Sequence, residues 1–183
     1  HTRLSGTGAA DFIDILLMPM TGTPTTEAQN SPEPGTGYQS AFSHDQESAR
    51  PGYYQVMLQN YGIQAELTAT NRVGIHRYTY PEGSDSHVIL DLDHSANKGS
   101  WGRRIINSQI RIVDPQTIEG YRIITGWAKL RKIYFQIKFS KPMVSSYLTD
   151  GGRKHENTAV INGTNLRAAF TFANKDRHPL VAK

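Results

Sequence analysis

The chain reads as an all-β protein, an antiparallel β-sandwich of about ten strands, on three observations. Apolar and polar residues alternate with period two in run after run, helical periodicity hardly appears, and turn-forming pairs fall between the alternating runs. Many short strands without intervening helices build sandwiches rather than parallel sheets with crossover helices.

The elements follow in order. Ile13 to Met18 is the first strand-like run. From Pro19 to Gly52, 34 residues include 5 Pro, 4 Gly, 5 Thr and 4 Ser, a composition that predicts a long irregular surface loop near the N-terminus. The loop ends in a more ordered piece, Tyr38 to Pro51, which carries Tyr38, Phe42, His44 and Glu47. Tyr54, Val56 and Leu58 share a strand face, and Ile63, Ala65, Leu67 and Ala69 share the next, with Gln64, Glu66, Thr68 and Thr70 on a wet side. Val73, Ile75 and Thr79 give the following face, so the large groups of His76 to Pro81 are expected outside. Val88, Leu90 and Leu92 form another face, as do Ile106, Ile110 and Ile112. Ile133, Phe135, Ile137 and Phe139 alternate with Lys132, Gln136, Lys138 and Ser140, and Leu166, Ala168, Phe170 and Phe172 close the series. Turns are expected at Asn60-Tyr61-Gly62, Pro81-Glu82-Gly83, Asp114-Pro115, Asp150-Gly151-Gly152 and Asn162-Gly163.

Composition bounds the function. The 183 residues are 37% hydrophobic and 20% charged, with no Cys, which suits one domain and excludes disulfide staples and a thiol nucleophile. No run approaches the ~20 apolar residues of a membrane span. The net charge of +4 is uneven: residues 1–102 hold 5 Lys/Arg against 11 Asp/Glu, 103–154 hold 11 against 3, and 155–183 hold 4 against 2. Alternation inside the basic stretch points to a solvated strand face or an acidic partner domain, and away from nucleic acid.

Few constellations carry chemistry. Asp91-Leu92-Asp93-His94 is either the edge of a cation site or a strand end with exposed acids, and calcium would need six to eight oxygens. Asp11 and Asp14 suit caps or turns. Ser5-Gly6-Thr7-Gly8 lacks the lysine and spacing of a phosphate loop, and no G-x-S-x-G elbow occurs. Trp101 and Trp127 suit either a core or a sugar-stacking role.

Several motifs in sequence order resemble glycoside hydrolase family 92, the calcium-dependent exo-acting α-mannosidases. His1-Thr2-Arg3-Leu4-Ser5-Gly6-Thr7-Gly8 with Asp14-Ile15-Leu16-Leu17-Met18-Pro19 is similar to its H-T-H-L-S-G-T-G … G-D-I-L-L-M-P. Phe42-Ser43-His44 and Pro51-Gly52-Tyr53-Tyr54 resemble F-S-H-x-x-E … P-G-Y-Y. Glu66 to Thr70 and Arg72 to Pro81 resemble E-L-T-A-T-x-R-V-G-x-H-R-Y-x-F-P, and G-Y-R, G-W, Y-F and F-S-K-P match at Gly120, Gly126, Tyr134 and Phe139.

The resemblance implies a supersandwich-like N-terminal domain spanning 1–183, itself incomplete, inside a bacterial secreted or periplasmic enzyme. A chain that starts at His1 rather than Met fits a piece of a larger protein. The implied partners are a C-terminal helical catalytic domain of the same protein and mannose-containing glycans, with no membrane span and no nucleic acid. In the family, the general acid, the general base and most calcium ligands belong to the helical domain. No catalytic or metal-binding residue and no cofactor is therefore assigned to this chain, although calcium is implied for the parent enzyme. Substrate contacts are expected at His1, Arg3, Ser5, Thr7 and His44. Arg3 stands where the family has His, and Ala9-Ala10-Asp11 where it has C-x-D, departures that bear on linkage preference. The expected function is that of a non-catalytic domain lining one side of a pocket for inverting hydrolysis; the alternatives are a stand-alone carbohydrate-binding module and a structural sandwich.

Overall fold

A computed structural model describes residues 15–28, 37–94, 104–126, 128–175 and 178–183. Fourteen strands form among them. The first half holds β1 (Leu16–Met20), β2 (Glu47–Arg50), β3 (Tyr53–Leu58), β4 (Ile63–Ala69), β5 (Gly74–Thr79), β6 (Ser86–Asp91) and β7 (Arg104–Asp114). The second holds β8 (Thr117–Thr125), β9 (Arg131–Lys138), β10 (Met143–Asp150), β11 (Arg153–Glu156), β12 (Val160–Gly163), β13 (Leu166–Phe172) and β14 (Leu180–Ala182). A 3₁₀ turn, His44–Gln46, precedes β2. No helix among the described residues is long and apolar enough to cross a membrane.

The expected antiparallel sandwich forms from three sheets, ordered β1-β6-β13-β10-β11, β12-β7-β8-β9 and β14-β5-β4-β3-β2. The excess over ten strands lies in β2, β11, β12 and β14, sheet-edge pieces of three or four residues, too short to show alternation. Pro19 sits within β1, which tolerates it because an edge strand has one side without ladder bonds.

One core joins the sheets. Val88, Leu90, Leu148, Ala168 and Phe170 of the first sheet meet Ile110, Ile118 and Ile137 of the second and Val56, Ile63 and Ala65 of the third. Phe139 packs its ring 4.8 Å from Phe172 and 5.9 Å from Phe170. Each such side chain contributes about 1.5–3 kcal/mol when fully buried. The first sheet also buries part of its outer face, where Ile89 and Ala169 meet Met20 and Tyr38. Every residue of β6 is consequently buried.

Three expectations are corrected. In β5 the core face is His76 and Tyr78, because the register sets Tyr78 beside Ala65 and His76 beside Leu67, while Val73 is exposed. The Nδ1 of His76 lies 2.6 Å from the Tyr78 hydroxyl, so each polar group has a partner inside the core. Ile106 is exposed because a bulge between Ile105 and Asn107 shifts the alternation. Asn162-Gly163 is not a hairpin turn: it ends β12, opposite Gln109 and Ser108, at the crossover from the second sheet to the first. A Cβ on Gly163 would lie 2.5 Å from the Asp150 carboxylate, so a larger residue there would displace that side chain. By contrast, Gly151 and Gly152 take positive φ of 57° and 88° in the expected two-residue hairpin.

Burial pushes the His76 imidazole down to about 4, and His87 is lowered by the same cause. Between that value and an unfolded 6.5, the unfolded chain binds more protons than the folded one, so stability is lost as pH falls through the window. Urea unfolding from pH 7 to 4.5 should show this loss, with His76 contributing up to about 1.4 kcal/mol per pH unit. His76→Gln should flatten the slope.

Candidate functional site

Ser43 opens the 3₁₀ turn by accepting a bond from the Asp45 amide at 3.3 Å, which lifts His44 onto the surface ahead of β2. The His44 side chain is 87% exposed, yet its ring is held. Nδ1 lies 2.5 Å from Glu47 Oε2, and the ring of Phe42 stands edge-on at 5.6 Å. The other Glu47 oxygen accepts the Tyr54 hydroxyl at 2.6 Å. That bond, followed by His44, holds the Glu47 carboxyl below the usual carboxylate range. Burial and Glu47 push the Tyr54 hydroxyl up to about 12, so it stays a donor at neutral pH. A carboxylate on Nδ1 favours the tautomer with its proton there and turns Nε2 outward as an acceptor. Such a nitrogen suits a sugar hydroxyl. His1, Arg3, Ser5 and Thr7 lie outside the described residues, as do Asp11, Asp14, Trp101 and Trp127.

A second centre lies on the outer face of the first sheet. Register sets Asp91, Arg167, Thr149 and Lys154 in one rank across β6, β13, β10 and β11. Arg167 donates from Nε to Asp91 and from its terminal nitrogen to Asp93, both at 2.8 Å. Tyr38 donates to Asp91 at 2.5 Å, and the Asp93 amide bonds the other Asp91 oxygen at 2.6 Å. The expectation of exposed acids here is wrong for Asp91, which is completely buried because a cation and a phenol replace its water. Arg167 occupies both carboxylates, and the described residues contain no cluster of three His, Asp or Glu able to hold a metal.

Arg167 lines an open groove of about 700 Å³ between the strand formed by Tyr147 and Thr149 and the segment Thr23 to Glu27. Tyr147 ties the two walls by donating to the Pro24 carbonyl at 2.9 Å. The lining is mostly hydroxyls and charged heads, so the groove suits polar ligand groups. Sequence reasoning missed it, although two signals were present: the threonine-rich stretch Thr21 to Thr26, and Arg167 inside an apolar strand.

The third sheet uses motif residues on both faces. Gln55, Glu66 and Arg77 align across β3, β4 and β5 on the outer face. Arg77 bonds Glu66 through two nitrogens at 2.5 Å, and the Tyr53 hydroxyl bonds the same carboxylate at 2.6 Å. Arg77 and Tyr53 hold the Glu66 carboxyl below its ordinary range, Arg77 more strongly. Glu66, expected on a wet face, is therefore buried under its own partners.

Three packed sheets, an oriented surface imidazole and a hydroxyl-rich groove define a β-sandwich domain suited to polar ligand groups. Comparison with known proteins narrows that class. Residues 1–183 match the glycosyl hydrolase family 92 N-terminal domain, and the chain belongs to that family. It is 33% identical to a family GH92 alpha-mannosidase from Bacteroides thetaiotaomicron, with a TM-score of 0.88 over 99% of this chain and 25% of that one. The same enzyme in complex with mannoimidazole gives 32% identity, a TM-score of 0.88, and coverage of 99% and 24%. A GH92 inverting mannosidase from that bacterium shares the fold, at 23% identity, a TM-score of 0.69, and coverage of 92% and 21%. The chain thus spans about a quarter of these proteins' length. No match is found among curated proteins.

Breaking a buried ion pair from one side costs about 3–5 kcal/mol, whereas replacing both partners with apolar groups costs less. Asp91→Ala and Arg167→Met should each lower urea-unfolding stability by that amount. The double variant Asp91→Leu/Arg167→Met should recover part of it. Single variants within 1 kcal/mol of wild type would show the network to be energetically idle.

Proposed function

We propose that this chain is the non-catalytic N-terminal β-sandwich of an exo-α-mannosidase, working with a C-terminal helical catalytic domain of the same protein. The observation that carries the reading is its 33% identity, over 99% of its length, to an alpha-mannosidase of which it spans 25%. The substrate would be terminal α-mannosides of mannose-containing glycans, hydrolysed with inversion. One carboxyl would protonate the leaving oxygen while a second activates water. Both carboxyls, and any calcium ligands, would come from the remaining three quarters; the two buried acids described, Asp91 and Glu66, are already committed to Arg167 and Arg77. A secreted or periplasmic bacterial enzyme is the setting that this reading implies. Within it, His1, Arg3, Ser5, Thr7 and His44 would line the rim of the pocket.

The chain should be expressed with and without its natural continuation and assayed on an aryl α-mannoside with calcium. Only the longer protein should release mannose, and turnover by the 183-residue chain alone would overturn the division of labour. In the longer protein, His44→Ala should raise KM about three- to tenfold with kcat little changed, as expected when one hydrogen bond used equally in ground and transition states is lost. An unchanged KM would remove His44 from the rim.

A further inference from the structure

The outer face of the second sheet presents chemistry that the mannosidase reading leaves unused. Its register aligns Asn162, Gln109, Tyr121 and Tyr134 in one rank across β12, β7, β8 and β9. Asn107, Ile123 and Lys132 form the next rank, and Arg111, Glu119 and Gln136 the rank on the other side. Tyr134 is 72% exposed, the most exposed large hydrophobic side chain described. Its ring centroid lies 6.1 Å from that of Tyr121. The amides around the rings are fixed: Asn107 donates to the Tyr121 hydroxyl at 3.1 Å, and Gln109 donates to the Asn162 side-chain oxygen at 2.9 Å. Asn107 is held at both ends, since its oxygen also accepts the Ser108 amide at 2.9 Å, whereas the Gln109–Asn162 bond takes the nitrogen of one amide and the oxygen of the other.

Charge selects the occupant. Along β9 the outward residues are Lys132, Tyr134, Gln136 and Lys138, so one lysine stands next to the exposed ring on its side of the strand and the second lies beyond Gln136, about 13 Å along it. Neither lysine is in an ion pair among the described residues, whereas Arg111 is paired with Glu119. Asp114, held chiefly by the Gln116 amide, is close enough to Lys138 to feel its charge. The face as a whole keeps a small positive excess. A protein partner fits poorly, because lysine is depleted at the centre of protein interfaces and an apolar centre is expected there. Nucleic acid fits no better, since it calls for a dense basic stripe. Tyrosine faces take the C–H side of a sugar ring, and fixed amides exchange hydrogen bonds with its hydroxyls.

We propose that this face binds an acidic glycan, a chain of sugar rings bearing carboxylates, with Tyr134 and Tyr121 as the stacking platform and Lys132 and Lys138 as the charge contacts. The site goes beyond the mannosidase reading and stands or falls separately from it.

The test is affinity electrophoresis of the full-length protein through gels containing polygalacturonate, neutral mannan or poly-L-glutamate. Polygalacturonate should retard the protein, and the other two should not. Tyr134→Ala should weaken retardation at least tenfold, Tyr134→Phe should keep it, and Lys132→Glu/Lys138→Glu should abolish it, all with aryl-mannoside turnover unchanged. Equal retardation by polyglutamate would reduce the site to plain charge attraction and overturn it. Equal retardation by mannan would overturn the acidic assignment. An unretarded wild type, with a lower Tm for Tyr134→Ala in the full-length protein, would show instead that the rest of the chain covers this face.

Discussion

Strand β6 lies between two packed faces, and its last residue carries the charge that the arrangement must neutralise. Val88 and Leu90 point into the common core while Ile89 meets Met20 and Tyr38 on the opposite side. Asp91 continues that second face and has no access to water. An isolated carboxylate there would cost several kcal/mol in desolvation. The Arg167 guanidinium on β13 and the Tyr38 hydroxyl from the loop replace the lost hydration. Because β6 and β13 are neighbours in register, this pair bonds the two strands across their ladder, and Tyr38 on Asp91 marks where the loop returns to the sheet. Burial raises the Tyr38 hydroxyl above its ordinary range, with Asp91 adding to the effect, so it remains a donor. The groove walls follow from the same contact, since Arg167 lies among the groove's lining residues and Tyr147 holds the Thr23 to Glu27 segment against β10.

The third sheet solves a different problem with related means. Its inner face must place His76 and Tyr78 in an apolar core, and their mutual bond satisfies both. Its outer face carries Glu66 beneath Arg77 and Tyr53, with Arg50 over the Tyr53 ring at 4.8 Å. Polar groups thus serve as cross-strand fasteners on both faces. Many of the residues by which the sequence resembles family 92, including Tyr53, Glu66, His76, Arg77 and Tyr78, are committed in this way. Arg122 of the G-Y-R motif is likewise fully buried and reaches the His94 carbonyl at 3.2 Å, while Gly120 of that motif leaves no room for a Cβ 2.0 Å from the Gln109 carbonyl.

That commitment explains what could and could not be read from residues alone. Alternation is legible wherever one face is apolar and the other polar, as in Ile133 to Ser140, where burial follows the expected phase throughout. It misleads where a polar side chain is buried together with a polar partner. His76 and Glu66 look like surface residues, although the Tyr78 hydroxyl two residues along the same strand bonds His76 and register sets Arg77 of the neighbouring strand opposite Glu66. It also fails at a bulge, because one inserted residue such as Ile106 reverses the phase without a local signal. Within the candidate site, His44 was legible as a motif residue, but its orientation by Glu47 and Tyr54 depends on the β2–β3 pairing. The groove depends on contacts between residues more than 100 positions apart, such as Tyr147 with Pro24, which no local pattern encodes.

Motif matching and site assignment therefore carry different information in this chain. A motif residue locked into a buried polar network contributes to holding the sheet together, and its polar atoms are largely engaged within the chain. Glu66 has both carboxylate oxygens engaged, and Asp91 likewise. His44 differs because, among the described residues, only one of its ring nitrogens is engaged, by Glu47, and the side chain is exposed. Tyr134 differs because its ring face stands open to solvent. By this criterion, the groups able to recognise a ligand lie at the margins of the sheets and on the outer face of the second one. The interior polar network, although richer in charge, holds those margins at fixed positions.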